Sequence, residues 1–290
     1  MELTRNFIKS KRPCTDGFRW LLRTHQNGGD YQPLLDALVR DGRISDACWL
    51  LDQFGPTDAV LRVDNLEAEA VIFAGSIEVA GNIDVDTMVR AGRSIIAGGG
   101  IRSGGDIVAG EDVRAGGNIR CAGTLKVQGD MRVAWGIEAE GELDCGGELR
   151  VEWDLSCLGS LQVGGNAHIG QDLIANAAAH FRNNLQVGGN IVCASNLKTG
   201  KGLLAGAGIR CDGHIEAGWG IKARGDIDAQ GAIKAGESLQ TEAEIRAGKG
   251  YGIFAGLIVQ LDAWESSAQV CARDRPERLM SGWWAGALEA

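Results

Sequence analysis

Proline is almost missing: 4 of 290 residues, beside 44 glycines. Glycine at about twice its usual share would suggest collagen or disorder if proline rose with it; without proline it suggests an ordered chain that turns often and tightly. No apolar run reaches the roughly 18 residues of a membrane helix, and MELTRNFIKSKRPC lacks the apolar stretch of a signal peptide. The expectations are no membrane association and a cytoplasmic location. The eight cysteines (14, 48, 121, 145, 157, 193, 211 and 271) include no CxxC pair, which leaves zinc without a chelating spacing.

What is present is a six-residue metre. Stepping by six from Ile77 to Ile245 gives 29 consecutive hexads, and only Ala167 and Ala179 are not large apolar residues. Two residues later a smaller side chain follows, usually Ala, Val, Cys or Thr. A spacing of two puts both on one face of a strand. Glycine two residues before the large position marks a corner. Strand, corner, strand is the grammar of a β-solenoid.

A coil of three hexads, 18 residues, makes a test possible. Cys121, Cys157, Cys193 and Cys211 are separated by multiples of 18 and fall in one inner column with Ala139 and Ala175. Val79, Ala97, Ala115, Val133, Val151, Ile169 and Val187 form a second column, aliphatic throughout. Outside, Asp112, Asp130 and Glu148 stand beside Arg114, Arg132 and Arg150, a ladder of opposite charges read as structural. The fold expected is all-β: a triangular parallel β-helix of about ten 18-residue coils with a small α-helical N-terminal cap.

Runs such as GSIEVAGNIDVD and GGDIVAGEDVRAGGNIRCAG resemble the bactofilins, polymer-forming bacterial cytoskeletal proteins, over residues 75–248. The resemblance implies a right-handed β-helix and a structural scaffold. Left-handed hexapeptide acyltransferases share the six-residue beat. Their slot after the large residue is small or acidic, whereas here it often holds Arg90, Arg102, Arg120, Lys126, Arg132 or Lys222.

The ends differ from the repeat. Three short helices are predicted over 15–26, 31–41 and 44–54, with Asp30 and Ser45 as N-caps and Gly42 and Gly55 as C-terminal stops. The organisation expected is a helical module over 1–60, a β-helix over 61–261 and a capping segment over 262–290. GLIVQLDAWESS is predicted to finish the last coil as a strand, with the tail lying over it. Caps at both ends oppose stacking, which favours a monomer or small oligomer over the filament that the resemblance implies.

Chemistry is harder to find. His168, His180 and His214 sit on outward slots without a recurrent partner, and the glycine-rich pieces AGGGIRSGG and AGAGIRCDG lack the GK[ST] of a phosphate loop. The column cysteines read as buried apolar fillers, and Cys14 as a helix-start residue. The chain is therefore expected not to be an enzyme and to need no cofactor or metal. Net charge is −9; residues 63–261 carry 17 basic and 25 acidic side chains, which disfavours nucleic acid and favours a basic protein partner. The candidate docking site is acidic and aromatic: Glu138, Glu140, Glu142, Asp144, Glu152 and Asp154, with Trp135 and Trp153 at corners and Trp219 at another. The tryptophans either project as binding anchors or pack flat on neighbouring coils. A toxin-neutralising immunity protein is one kind of molecule that would use such a surface.

Overall fold

The computed structural model describes residues 2–25 and 28–288. Positions 26 and 289–290, at the edges of two predicted segments, lie outside them. The repeat folds as a three-sided parallel solenoid. Through the regular repeat each strand pairs in register with the strand 18 residues on, as Val113–Ala115 does with Met131–Val133, and Ile119–Cys121 with Ile137–Ala139. The first face has thirteen strands, from Val60–Val63 to Trp283–Gly286. The other two faces join at the N-terminal end, where Leu66–Phe73 and Ile83–Ala91 run round a corner without breaking. Thirteen rungs at about 4.8 Å each give a rod roughly 60 Å long. The expected ten coils counted only the regular hexads; segments outside the metre add rungs at both ends.

The two inner columns run as the 18-residue period requires. Ser103, Cys121, Ala139, Cys157, Ala175, Cys193, Cys211 and Ala229 follow one another rung by rung, all but fully buried. Where the large position shrinks, the smaller one grows: Ala167 shares its strand with Ile169, and Ala179 with Phe181, which is fully buried. Volume is conserved across the strand, as close packing demands.

The column cysteines do more than fill space. The thiols of Cys121, Cys157, Cys193 and Cys211 each donate to the carbonyl sixteen residues back, at 3.1, 3.4, 3.3 and 2.7 Å. Buried Ser103 and Thr241 reach the equivalent carbonyls at 3.4 and 2.5 Å. Thus Cys, Ser and Thr are interchangeable here because each is small and carries one donor. Burial pushes the Cys121 thiol up to about 11 and the Cys145 thiol to about 12, which keeps both protonated at neutral pH.

Corners have their own ladder. The residue before each strand lies where the backbone turns, and when it is Asp or Asn its side chain serves the next rung. Asp112 accepts the N–H of Asp130 at 2.9 Å, Asp130 that of Glu148 at 2.9 Å, and Asp172 that of Asn190 at 2.6 Å. The acidic column read as an electrostatic partner for arginine therefore also satisfies corner amides. Its ion pairs are looser: Arg114 to Asp112 at 3.8 Å and Arg132 to Asp130 at 3.7 Å, while Arg150 turns to Glu152 at 2.6 Å.

At the N-terminal end, α1 (Arg5–Ser10), α2 (Thr15–Thr24), α3 (Tyr31–Arg40) and α4 (Ile44–Phe54) surround a second core of Leu3, Ile8, Leu21, Leu34, Leu35, Leu38, Leu50 and Leu51. Ile72 and Ala74 of the solenoid belong to that core, so the module sits directly on the first turns. Gln32 of α3 completes the join: its amide donates to the Ile72 carbonyl at 3.0 Å and accepts the Ala74 N–H at 2.9 Å. Gly42 and Gly55, at φ 69° and 74°, stop α3 and α4 as predicted. Cys14 begins α2, its sulfur accepting the Gly17 N–H at 3.1 Å. Ser45 is not a cap, because α4 begins one residue earlier at Ile44; Asp30 stands at the N-cap of α3 without a side-chain hydrogen bond.

The C-terminal segment departs from expectation. Leu261–Ala263 is a 3-10 turn leading into the short helix α5 (Trp264–Ser267), not a strand. The tail does not lie over the last coil but prolongs the stack: Gln269–Cys271 pairs with Leu239–Gln240, Leu279–Ser281 with Ile253–Phe254, and Trp283–Gly286 with Gln269–Cys271.

Candidate docking site

The corner between the first and second faces holds Trp135 and Trp153 on consecutive rungs. The same slot holds Gly117 on the rung before, Gln171 on the rung after and Gly189 one rung further on. Both indoles point outward, 56% and 54% exposed, and they stack on one another with centroids 6.1 Å apart and planes 20° from parallel. The two readings of these residues are thus combined: they pack against each other and still project. The corner closes beneath them by rung-to-rung bonds, Trp153 N–H to the Trp135 carbonyl at 3.3 Å and Gln171 N–H to the Trp153 carbonyl at 3.1 Å.

Acidic groups flank this pair unevenly. Glu152 and Asp154 bracket Trp153 on the same corner, and Glu138 follows Trp135 on the adjoining edge of the second face. Glu152 accepts from Arg150 at 2.6 Å, and that hydrogen bond holds its carboxyl below the usual range. Asp154 accepts the Asp172 N–H at 2.9 Å. Glu138 pairs with Arg120 at 3.0 Å.

The remaining predicted residues are elsewhere. Glu140 and Glu142 flank Gly141 at the next corner, and Asp144 faces outward on the third face, 3.6 Å from Lys126. The cause is geometric: a stretch from Glu138 to Asp154 takes up nearly one 18-residue turn, so charges close in sequence are spread round the rod. Trp219 lies at the corner between the third and first faces, 48% exposed, with the Lys201 ammonium 5.5 Å above its ring. The site the fold assembles is therefore Trp135, Trp153, Glu138, Glu152 and Asp154.

Across the corner, on the first face, Arg132, Arg150 and His168 stand in one outward column. They line an open groove of about 570 Å³ with Glu148, Glu152 and Asn166. Sequence reading counted these arginines only as a structural ladder. Their 18-residue spacing was visible, but their place beside the tryptophans follows from the turn of the coil. Both sides of the aromatic pair therefore carry mixed charge, Arg132 and Arg150 with Glu148 and Glu152 on one, Arg120 with Glu138 on the other.

With this geometry in hand, comparison with known proteins bears on the helical module. Residues 1–54 match the family model described as the YdhT N-terminal domain. The match ends where α4 ends. No curated protein and no solved structure matches the chain. Among the described residues, no cluster of His, Cys, Asp and Glu suits a metal ion, and no helix is long and apolar enough to cross a membrane.

Proposed function

We propose that this chain is a non-enzymatic binding protein, a rigid solenoid that docks a basic protein partner at the Trp135–Trp153 corner. The observation that carries this reading is the stacked pair itself. Two indoles stand half in solvent at a slot filled by Gly117 on the rung before and Gln171 on the rung after, so the corner turns without an aromatic there. Large aromatic anchors bordered by charge are the features that concentrate binding energy at protein interfaces. Glu138, Glu152 and Asp154 supply the negative border, and a cationic side chain laid on an indole face gains further from the ring quadrupole. Neutralisation of a toxin by covering a basic active site is one form this activity takes. The polymerising-scaffold alternative has less support, because the helical module occupies one end of the stack.

The test is a titration of the full chain with an arginine-rich peptide and a glutamate-rich control of equal length. Saturable binding of the basic peptide is expected, weakened at least tenfold in the Trp135→Ala/Trp153→Ala double variant and by raised salt. Equal binding by wild type and double variant overturns the assignment.

A further inference from the structure

The C-terminal end of the stack presents a different surface. Among the described residues, Trp283–Gly286 has a strand neighbour on one side only, Gln269–Cys271. Its other edge carries free backbone donors and acceptors. The register places Trp284 over Val270, itself over Leu239, so Trp284 is the last member of an inward column and lies across the end of the bore. Among the described residues nothing covers it fully: the side chain remains 40% exposed. Trp283 is fixed beside it, its indole N–H donating to the Glu265 carbonyl at 2.7 Å. Met280, on the neighbouring third-face strand, is also exposed, as is Ala285.

We propose that this end is a self-association face, occupied by the same end of a second copy. Two observations select that occupant. An unpaired strand edge is completed by another strand, and a two-fold axis through it would pair Trp283–Gly286 with its own copy in antiparallel fashion. Head-to-tail stacking is obstructed, because the helical module packs on Ile72 and Ala74 at the opposite end and Gln32 bonds to their backbone. The contact uses the same surface twice, so it closes at a dimer.

Sedimentation equilibrium on the full chain tests this. The expected result is a concentration-dependent dimer. Trp284→Lys, and separately the Met280→Lys/Ala285→Lys pair, should each raise the dissociation constant at least tenfold by setting like charges against each other across the axis. The paired variant alters only exposed side chains, so it remains informative if Trp284→Lys loosens the last rung. Trp135→Ala/Trp153→Ala should dimerise as wild type does, which separates this face from the docking corner. A wild-type monomer at every concentration, a dimer indifferent to both lysine variants, or growth into filaments would each overturn the proposal.

Discussion

The two ends of the solenoid meet one problem in opposite ways. A parallel stack ends in unpaired strand edges and an uncovered core. At the N-terminus a separate module takes over: a leucine-rich helical core receives Ile72 and Ala74, and Gln32 satisfies the backbone of the terminal strand. At the C-terminus the chain adds more of the same, irregular rungs finished by a tryptophan across the bore. The first solution covers the edge at Ile72 and Ala74; the second moves the edge further along. What distinguishes them is the source of stability. A helical module can be lost as a unit, whereas a terminal rung depends only on the rung beneath it.

The contrast is broken most severely from inside the helical core. Leu35 is fully buried there, and Leu35→Ala should cost about 3 kcal/mol. Because the repeat has its own core, the loss should fall on the module, and thermal unfolding should split into an early helical step and a later strand step. A single transition shifted as a whole would mean that the two regions fold as one.

A smaller effect sharpens the comparison at the seam. Gln32→Ala removes both amide contacts and leaves the Ile72 carbonyl and Ala74 N–H without them, at about 1–2 kcal/mol. Hydrogen exchange should quicken at Ala74 and its neighbours but not at the C-terminal rungs. Uniform acceleration along the rod would show that Gln32 is not a local edge cap.

The least effect is expected in the middle of the stack. Cys157→Ser keeps the small volume and the donor to the Gly141 carbonyl, so the cost should stay below about 1 kcal/mol. Thiol labelling gives a companion readout. Cys14 is exposed and should react in the native state. Cys121 and Cys145, whose raised pKa values keep them as thiols well above neutrality, should react only on unfolding. Rapid labelling of either at neutral pH would mean that the rungs open locally.

The sequence was most legible where physics repeats itself. Every third hexad had to align once strands paired in register, so the cysteine column and the aliphatic column could be written down beforehand. Helix spacing and the glycine stops located α3 and α4 for the same reason. Legibility failed where a role depends on the third dimension. Asp112 and Asp130 look like ion-pair partners on paper, yet their carboxylates also serve corner amides one turn away. Glu140, Glu142 and Asp144 look clustered with Trp135, yet the coil carries them to another corner and another face. The terminal strands Gln269–Cys271 and Trp283–Gly286 follow no metre, since each meets only one or two neighbours and any register that buries Val270 and covers the bore suffices.

In-register pairing at a fixed 18 residues has a consequence for reach. Removing or duplicating one whole lap from the middle leaves each column continuous and every corner amide supplied, because the new neighbours are of the same kind as the old. The tail would then move toward or away from the helices by about 4.8 Å per lap. Chain length in this molecule acts as a ruler graduated in single turns, and the span between whatever its two extremities hold can be changed one graduation at a time.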